Sequence, residues 1–385
     1  MSIRFSFPSC RLLAGLLALC LMLGAVPGLQ AASLSYGLNT MWGPGDAQTL
    51  RERFRKAKSL GVTQVRLDWE WRRVEAVRGQ YKWDRLDALV WLARKEGIEL
   101  LPIVHYAPNW ALVPGSKPGD IYEMAPAEAA FGDYARFVRA SIRRYGPGGN
   151  APVPFTPIVH WQIWNEPNIK QFWGPEPNAA QFGKLMRRVQ QETAGVRSRV
   201  KLVHAGLSKS DLLYLWQLWE QNKGYGDTFD IMAVHPYVFD WDDGIRLPEA
   251  MDADDARYAA LGVVGSVNDP GYLGKVFNLQ VLMTLKGAPK PIWITEMGYF
   301  IGDQHLGVTE LGAAERLRKT LNFIRSRLTT APYGSGLRNL PANVQRVYWF
   351  ALEDYPSPDG MGTFGFYRND GSERPAAPMF RSFTR

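Results

Sequence analysis

The 385-residue sequence has only two cysteines, Cys10 and Cys20, and both fall within its first 32 residues. The rest of the chain therefore has no disulfide framework, no thiolate zinc site and no cysteine nucleophile. Histidine is scarce as well: there are five, and none forms an H-x-H or H-E-x-x-H pair of the kind that grips zinc. There is no low-complexity tract, no fibrous repeat and no nucleic-acid-binding motif. The one long apolar run, Leu12 to Val26, is shorter than the ~20 residues a membrane-spanning helix needs.

That run has a different meaning. Arg4 and Arg11 flank its start, and the small residues of GLQAAS follow it. A charged, then apolar, then small-residue order is that of a secretory signal peptide, with cleavage expected after Ala31 or Ala32. Residues 1–32 are accordingly expected to be a signal peptide and 33–385 a single domain, secreted or periplasmic, with no stable membrane insertion after cleavage. A retained anchor is the alternative. Net charge is +8, or +6 without Arg4 and Arg11. The excess is spread over helix faces such as Arg136, Arg139 and Arg143, which reads as solvated surface rather than a nucleic-acid footprint. With 46% hydrophobic and 21% charged residues, the composition is that of a soluble globular chain with a large core.

From Ser33 onward, short β-branched runs alternate with amphipathic helical patterns. The strands are expected to end near Asn39, Trp69, Tyr106, Trp164, Ala205, His235, Thr295 and Leu352. Helical patterns follow, for example Phe131, Tyr134, Ala135, Val138, Ile142 and Tyr145 on one face. Eight strand-then-helix units imply an α/β fold with a parallel sheet closed into a (β/α)₈ TIM barrel. Such barrels carry their chemistry at the C-terminal strand ends. Polar residues gather there: Asn39, Arg66, Asp68, His105, Asn165, Glu166, His204, His235, Tyr237, Glu296, Glu353 and Asp354.

Two glutamates stand out. In HWQIWNEPN, an aromatic strand runs directly into Asn165-Glu166-Pro167. In WITEMGY, an apolar strand ends at Glu296. Either could be a cap or turn residue on its own. Together they end strands four and seven of an eight-unit barrel, on opposite sides of one mouth. Glycosidic-bond hydrolysis needs such a pair, one carboxyl to protonate the departing oxygen and the other to attack or to activate water. Packing beside tryptophans would desolvate Glu166 and favour its acid form.

These segments, with WNEPNIKQFW, the HPY of His235–Tyr237 and the aromatic strand VYWF, resemble clan A of the glycoside hydrolases, and within it family 39 most closely. Similar strand-end motifs occur in family 5 cellulases. The resemblance implies a retaining double displacement with Glu296 as nucleophile and Glu166 as acid/base. It also implies that Asn165 contacts the sugar 2-hydroxyl, that His235, Tyr237 and Arg66 tune Glu296, that His105 supports the substrate, and that Trp349 floors the sugar. No cofactor and no metal are implied. The expected partner is a polysaccharide or oligosaccharide, with endo-acting cleavage of a bacterial exopolysaccharide as first expectation. An exo-acting β-xylosidase or a β-glucanase of the same clan is the alternative.

Other readings remain open. His105, His204 and His235, with Asp68, could form a metal site, although no carboxylate-rich cluster accompanies them. His160, at the start of its strand, reads as a core or barrel-bottom histidine. Trp42, Trp69, Trp71, Trp110, Trp173 and Trp241 lie past strand ends and suggest a sugar-binding groove, with loop packing as the alternative. A non-catalytic carbohydrate-binding barrel would have no need of the glutamate pair. Gly360–Gly365 matches G-x-G-x-x-G but neither leads into a helix nor has room for a βαβ unit, so it reads as a loop.

Overall fold

Inward-facing positions on parallel strands alternate with outward ones, and here the alternation separates two cores. The computed structural model describes residues 34–40, 47–116, 125–238, 273–302, 307–332, 340–357 and 360–385. The expected signal segment 1–32, Trp42, Trp241 and the insertion between residues 239 and 271 lie outside the described residues. The described strands are β1 (Ser35–Asn39), β2 (Gln64–Glu70), β3 (Glu99–His105), β4 (His160–Ile163), β5 (Lys201–Val203), β6 (Leu207–Ser208), β7 (Met232–His235), β8 (Ile292–Ile294) and β9 (Val344–Trp349). All pair in parallel, in the order β5-β4-β3-β2-β1-β9-β8-β7-β6.

Nine strands occupy eight barrel positions. β5 and β6 are two halves of one interrupted strand: β5 pairs with β4 through Trp161↔Leu202, and β6 pairs with β7 through Leu207↔Val234. A bridge between Val203 and Ile231 brings β5 itself to the chain entering β7 and closes the circle. The expected (β/α)₈ barrel is therefore present, with its fifth strand broken at residues 204–206.

The helices are amphipathic for the reasons visible in the sequence. Between β3 and β4, Phe131–Tyr145 buries Phe131, Tyr134, Phe137, Val138, Ile142 and Tyr145. Its Arg139 reaches Glu192 on the neighbouring helix Ala179–Thr193 at 2.9 Å. Side-chain caps start several helices: Asn178 accepts from Gln181 N at 2.9 Å, Asp211 from Tyr214 N at 2.9 Å, and Thr309 from Gly312 N at 3.0 Å. The outer core between strands and helices is one continuous apolar cluster. The barrel interior holds a smaller one of Leu101, Val203, Ile231, Ala233, Trp293 and Tyr348. At its lower end Trp293 packs on His160 at 4.7 Å and under the Arg346 guanidinium at 4.3 Å. His160 thus lies at the barrel bottom as expected, and burial together with Arg346 pushes its pKa down to about 4.

No described helix is long and apolar enough to cross a membrane. Gly360–Gly365 is a loop. Its glycines answer to close backbone packing, since a Cβ at 365 would lie 2.6 Å from Glu353 Cα.

Candidate active site

Above the apolar plug the barrel interior turns polar. Asn39, Arg66, Gln162, His235 and Thr295, from five different barrel positions, are each at most 4% exposed. Burying a guanidinium is costly unless its donors are satisfied. Arg66 satisfies them by bonding to Gln162 Oε1 through Nε at 2.7 Å, to Asn39 Oδ1 and Glu296 Oε1 through Nη1 at 2.7 and 2.6 Å, and to Asn165 Oδ1 through Nη2 at 2.8 Å. A guanidinium can only donate, so it fixes the orientation of all three amides. Asn39 then donates its Nδ2 to the Thr295 carbonyl at 2.9 Å.

Asn165 and Glu166 reach the mouth because the chain turns sharply after β4. Trp164 and Glu166 both have left-handed backbones, with φ of 69° and 38°. For residues other than glycine this costs about 1–2 kcal/mol each. The turn is held by Trp164 N–H to the Val104 carbonyl at 3.0 Å, Trp164 Nε1–H to the Phe172 carbonyl at 2.9 Å, and Glu166 N–H to the Gly206 carbonyl at 3.0 Å. Gly206 lies in the break of the fifth strand, where the His235 ring lies directly against its backbone. Such strain at a barrel mouth is characteristic of a functional turn.

The two carboxylates converge on this layer. Glu166 Oε1 is 2.7 Å from His235 Nδ1, and His235 Nε2 is 2.9 Å from Thr295 Oγ1. Glu296 is bonded to Arg66 at Oε1, and its Oε2 accepts from the Tyr237 hydroxyl at 3.1 Å. Oxygens of Glu166 and Glu296 and a nitrogen of His235 all lie within 4.8 Å of one another. Burial alone would raise the Glu296 pKa. The His235 ring, the Arg66 guanidinium and the Tyr237 hydroxyl outweigh it and hold the carboxyl below its ordinary value, hence ionised. Burial, reinforced by the charges of Glu296 and Glu166, pushes the Tyr237 phenol far above its usual range, so it remains a donor.

Glu166, His235 and Glu296 form the one histidine–carboxylate trio among the described residues close enough to share a cation. Both Glu296 oxygens, Glu166 Oε1 and both His235 ring nitrogens are already engaged, by Arg66, Tyr237, Thr295 and one another. The Arg66 charge, 2.6 Å from Glu296, supplies the countercharge a cation would bring. His204 is not part of the trio. It is a buried core residue bonded to the Tyr225 hydroxyl at 2.6 Å, with its pKa pushed down to about 4 by burial.

Of the expected site residues, Arg66, Asn165, Glu166, His235, Tyr237 and Glu296 come together in one bonded cluster. His235 differs in detail: it lies 3.7 Å from Glu296, but its hydrogen bond goes to Glu166. His105 is buried at the neighbouring strand end, bonded through Nε2 to Asp68 at 2.8 Å, and contacts neither glutamate through a hydrogen bond. That bond, with Arg66 and Arg72, offsets the burial of Asp68 and leaves its pKa lowered.

Trp349 does not floor the site. Strand parity is the reason: Tyr348 faces into the barrel, so Trp349 faces out, against Tyr299 at 5.9 Å and Phe366 at 6.5 Å. The aromatic leading toward the mouth is Phe350, which packs on Phe364 at 5.3 Å, and Phe364 meets Tyr237 at 6.3 Å. The tryptophan groove also needs correction. Trp69, Trp71 and Trp173 are completely buried, because parity or short helical turns direct them into the outer core. Trp110 is half-buried on Trp71 at 5.3 Å. Sequence reasoning missed Gln162, Thr295 and Gly206. Position parity could have found the first, two residues after the barrel-bottom His160 on the same face of β4.

No family model matches the chain, and no curated protein matches it. Solved structures do. A family 39 glycoside hydrolase from Bacteroides cellulosilyticus WH2 aligns with TM-score 0.61 and 18% identity, over 92% of this chain and 64% of its own. A monomeric beta-xylosidase from Caulobacter crescentus CB15 aligns with TM-score 0.61 and 16% identity, over 90% and 67%. A GH5_18 protein from Streptomyces cattleya, solved with GlcNAc, aligns with TM-score 0.60 and 16% identity, over 92% and 80%. The chain thus has the fold of clan A glycoside hydrolases and spans just under two thirds of the length of the family 39 structure.

Proposed function

We propose that this protein is a retaining glycoside hydrolase, with Glu296 as nucleophile and Glu166 as acid/base. The observation that carries the reading is the carboxylate pair, with oxygens within 4.8 Å across the mouth and one member held ionised by Arg66. Retaining sites separate their carboxyls by about 5–5.5 Å, whereas inverting sites need about 6.5–9.5 Å to admit water. Glu296 attacks the anomeric carbon while Glu166 protonates the departing oxygen. Glu166 then takes a proton from the water that releases the sugar from Glu296. Asn165, oriented by Arg66, offers its Nδ2 to the 2-hydroxyl, a contact that strengthens in the transition state.

The substrate is a β-linked oligosaccharide or polysaccharide. The structural neighbours include a beta-xylosidase and an exo-beta-1,4-mannosidase. Endo action on an exopolysaccharide loses the support of the buried tryptophans and stands on the resemblance alone. The N-terminal segment is proposed to export the enzyme, so the glycan would be met outside the cytoplasm. The test is hydrolysis of a panel of aryl β-glycosides and of polysaccharides, including those of the producing organism, with the first-formed anomer read by NMR. Retention of configuration supports the assignment. Inversion would remove Glu296 as nucleophile, and binding without turnover on every glycan would favour the carbohydrate-binding barrel.

A further inference from the structure

The polar layer beneath the glutamates has a direction built into it. Arg66 can only donate, so Gln162 must present Oε1 to it and turn Nε2 the other way. Nε2 reaches Thr295 Oγ1 at 3.3 Å, so the Thr295 oxygen accepts there. Thr295 has one proton of its own to place, and the acceptor within reach is His235 Nε2 at 2.9 Å. A neutral His235 that accepts at Nε2 carries its proton at Nδ1, which points at Glu166 Oε1, 2.7 Å away. For a neutral ring this assignment gives every proton of the chain an acceptor, and all four side chains below Glu166 are buried. The Gly206 backbone lies against the imidazole and holds the ring in register.

We propose that Gln162 and Thr295 form a donor chain, anchored on Arg66, that fixes neutral His235 as its Nδ1–H tautomer and so leaves Oε2 of Glu166 as the atom carrying the transferable proton. The proposal rests on Glu166 as acid/base. With Oε1 always accepting from His235, the acid proton is on Oε2 before the first step. It passes to the glycosidic oxygen as the C1–O bond breaks toward that oxygen and the Glu296 oxygen bonds to C1. In the second step Oε2 receives a proton from water, whose oxygen bonds to C1 as Glu296 leaves. The opposite tautomer would leave the Thr295 proton with no described acceptor. It would also make Glu166 donate into the imidazole, holding its proton on Oε1 and away from the sugar. Gln162 and Thr295 are thus positioning residues that act through His235. The charged and titratable groups facing this ring are Glu166, Glu296 and Tyr237, with Arg66 behind Glu296.

The test uses the full chain labelled with ¹⁵N-histidine. Ring-nitrogen shifts show which nitrogen carries the proton, and the His235 signal is assigned by its loss in His235→Asn. Nδ1 protonated and Nε2 bare at the pH of activity is the expected result. An Nε2–H ring would overturn the proposal. Thr295→Ser keeps the hydroxyl and should keep the tautomer. Thr295→Val should mix the tautomers. Gln162→Glu offers the Thr295 proton a carboxylate and should drive the ring toward Nε2–H. In turnover, Thr295→Val should lose about 10-fold in kcat/KM, which reports the first step alone, on a glycoside with a poor leaving group, a fraction of the ~10²–10⁴ that general-acid catalysis supplies. It should lose little on a nitrophenyl glycoside, which departs without protonation, and Thr295→Ser should restore both. Equal losses on both substrates, or an unchanged tautomer in Thr295→Val and Gln162→Glu, would overturn it. The spectrum needs no substrate, so an Nδ1–H ring in a chain inert on every glycan would support the chain of donors while ending the hydrolase reading.

Discussion

Gly206→Ala tests whether the broken fifth strand exists to seat His235. A Cβ at position 206 would lie 2.5 Å from the ring's Cδ2 and nearer still to Nε2. Carbon contacts relax at about 3.5–4.0 Å, so the ring or the backbone must yield by about 1 Å. Neither can yield without consequence. If the ring moves, it strains its bonds of 2.7 Å to Glu166 and 2.9 Å to Thr295. If the backbone moves, the Gly206 carbonyl carries the Glu166 N–H with it, because they are bonded at 3.0 Å. Both routes displace the acid/base, and a misplacement of about 1 Å costs on the order of 10²-fold in turnover. Overpacking costs about 1–3 kcal/mol, offset by about 0.4–1 kcal/mol from the lower entropy of the unfolded chain. The expected outcome is a kcat/KM on a glycoside with a poor leaving group down by about 10²-fold, with net stability lowered by about 1–2 kcal/mol in denaturant titration. Gly195→Ala is the control. Its Cβ would meet nothing within 4 Å, so it should keep full activity and gain up to about 1 kcal/mol. Wild-type activity in Gly206→Ala would refute the claim that this backbone seats the ring.

The remaining predictions concern the carboxylates, the pH profile and the outer layers. Glu166→Gln should lower kcat by about 10²–10⁴-fold on a poor leaving group while far-ultraviolet circular dichroism stays unchanged. Glu296→Gln should abolish turnover on all substrates, and full activity in either variant would defeat the assignment. Tyr237→Phe removes one bond that holds the Glu296 pKa down. The pKa therefore rises toward its ordinary value, and the acid limb of kcat/KM moves to higher pH. In the wild type this depressed pKa contributes stability above the unfolded value of about 4.3, which is lost as pH falls through the folded one, and Tyr237→Phe should narrow that window in acid unfolding curves. Arg374→Ala removes the ion-pair partner of the buried Asp354 carboxylate at 2.8 Å and leaves it the Gly365 N–H at 3.0 Å. Thermal unfolding should show a loss of about 3–5 kcal/mol, with kcat on surviving protein close to wild type. Trp349→Phe should lower stability without moving KM, because the ring faces the helix layer.

The sequence made legible what depends on chain order and local pattern. Apolar runs followed by Asn-Glu or Thr-Glu identified the strand ends, and eight alternations implied the barrel. Arg66, His235 and Tyr237 entered through resemblance, and the structure joins them to the glutamates. What could not be read was side-chain direction where a strand ends. Trp349 was one residue out of phase with the inward face, and a single-residue shift reverses sides. Trp69 directly follows Asp68, so the inward direction of Arg66 and Asp68 required it to point outward. The break at 204–206 was hidden because VKLVHA reads as one continuous strand. What interrupts it is the His235 ring, brought there by a strand thirty residues on.

The same parity rule explains why so few residues define the site. In an eight-position barrel the interior admits few side chains per layer, and here one layer is apolar and the next polar. The apolar layer excludes water from below, which strengthens every charge interaction above it. In that setting Arg66 sets the ionisation of Glu296 and the orientation of Asn39, Gln162 and Asn165 at once. Replacing Arg66 by Lys would keep the charge but not the fork, since an ammonium has three donors and no fixed plane. Arg66→Lys should therefore retain an ionised Glu296, with an acid limb near that of wild type, while losing kcat through misoriented amides. If Arg66→Lys matched wild-type kcat, the role of Arg66 would reduce to its charge alone.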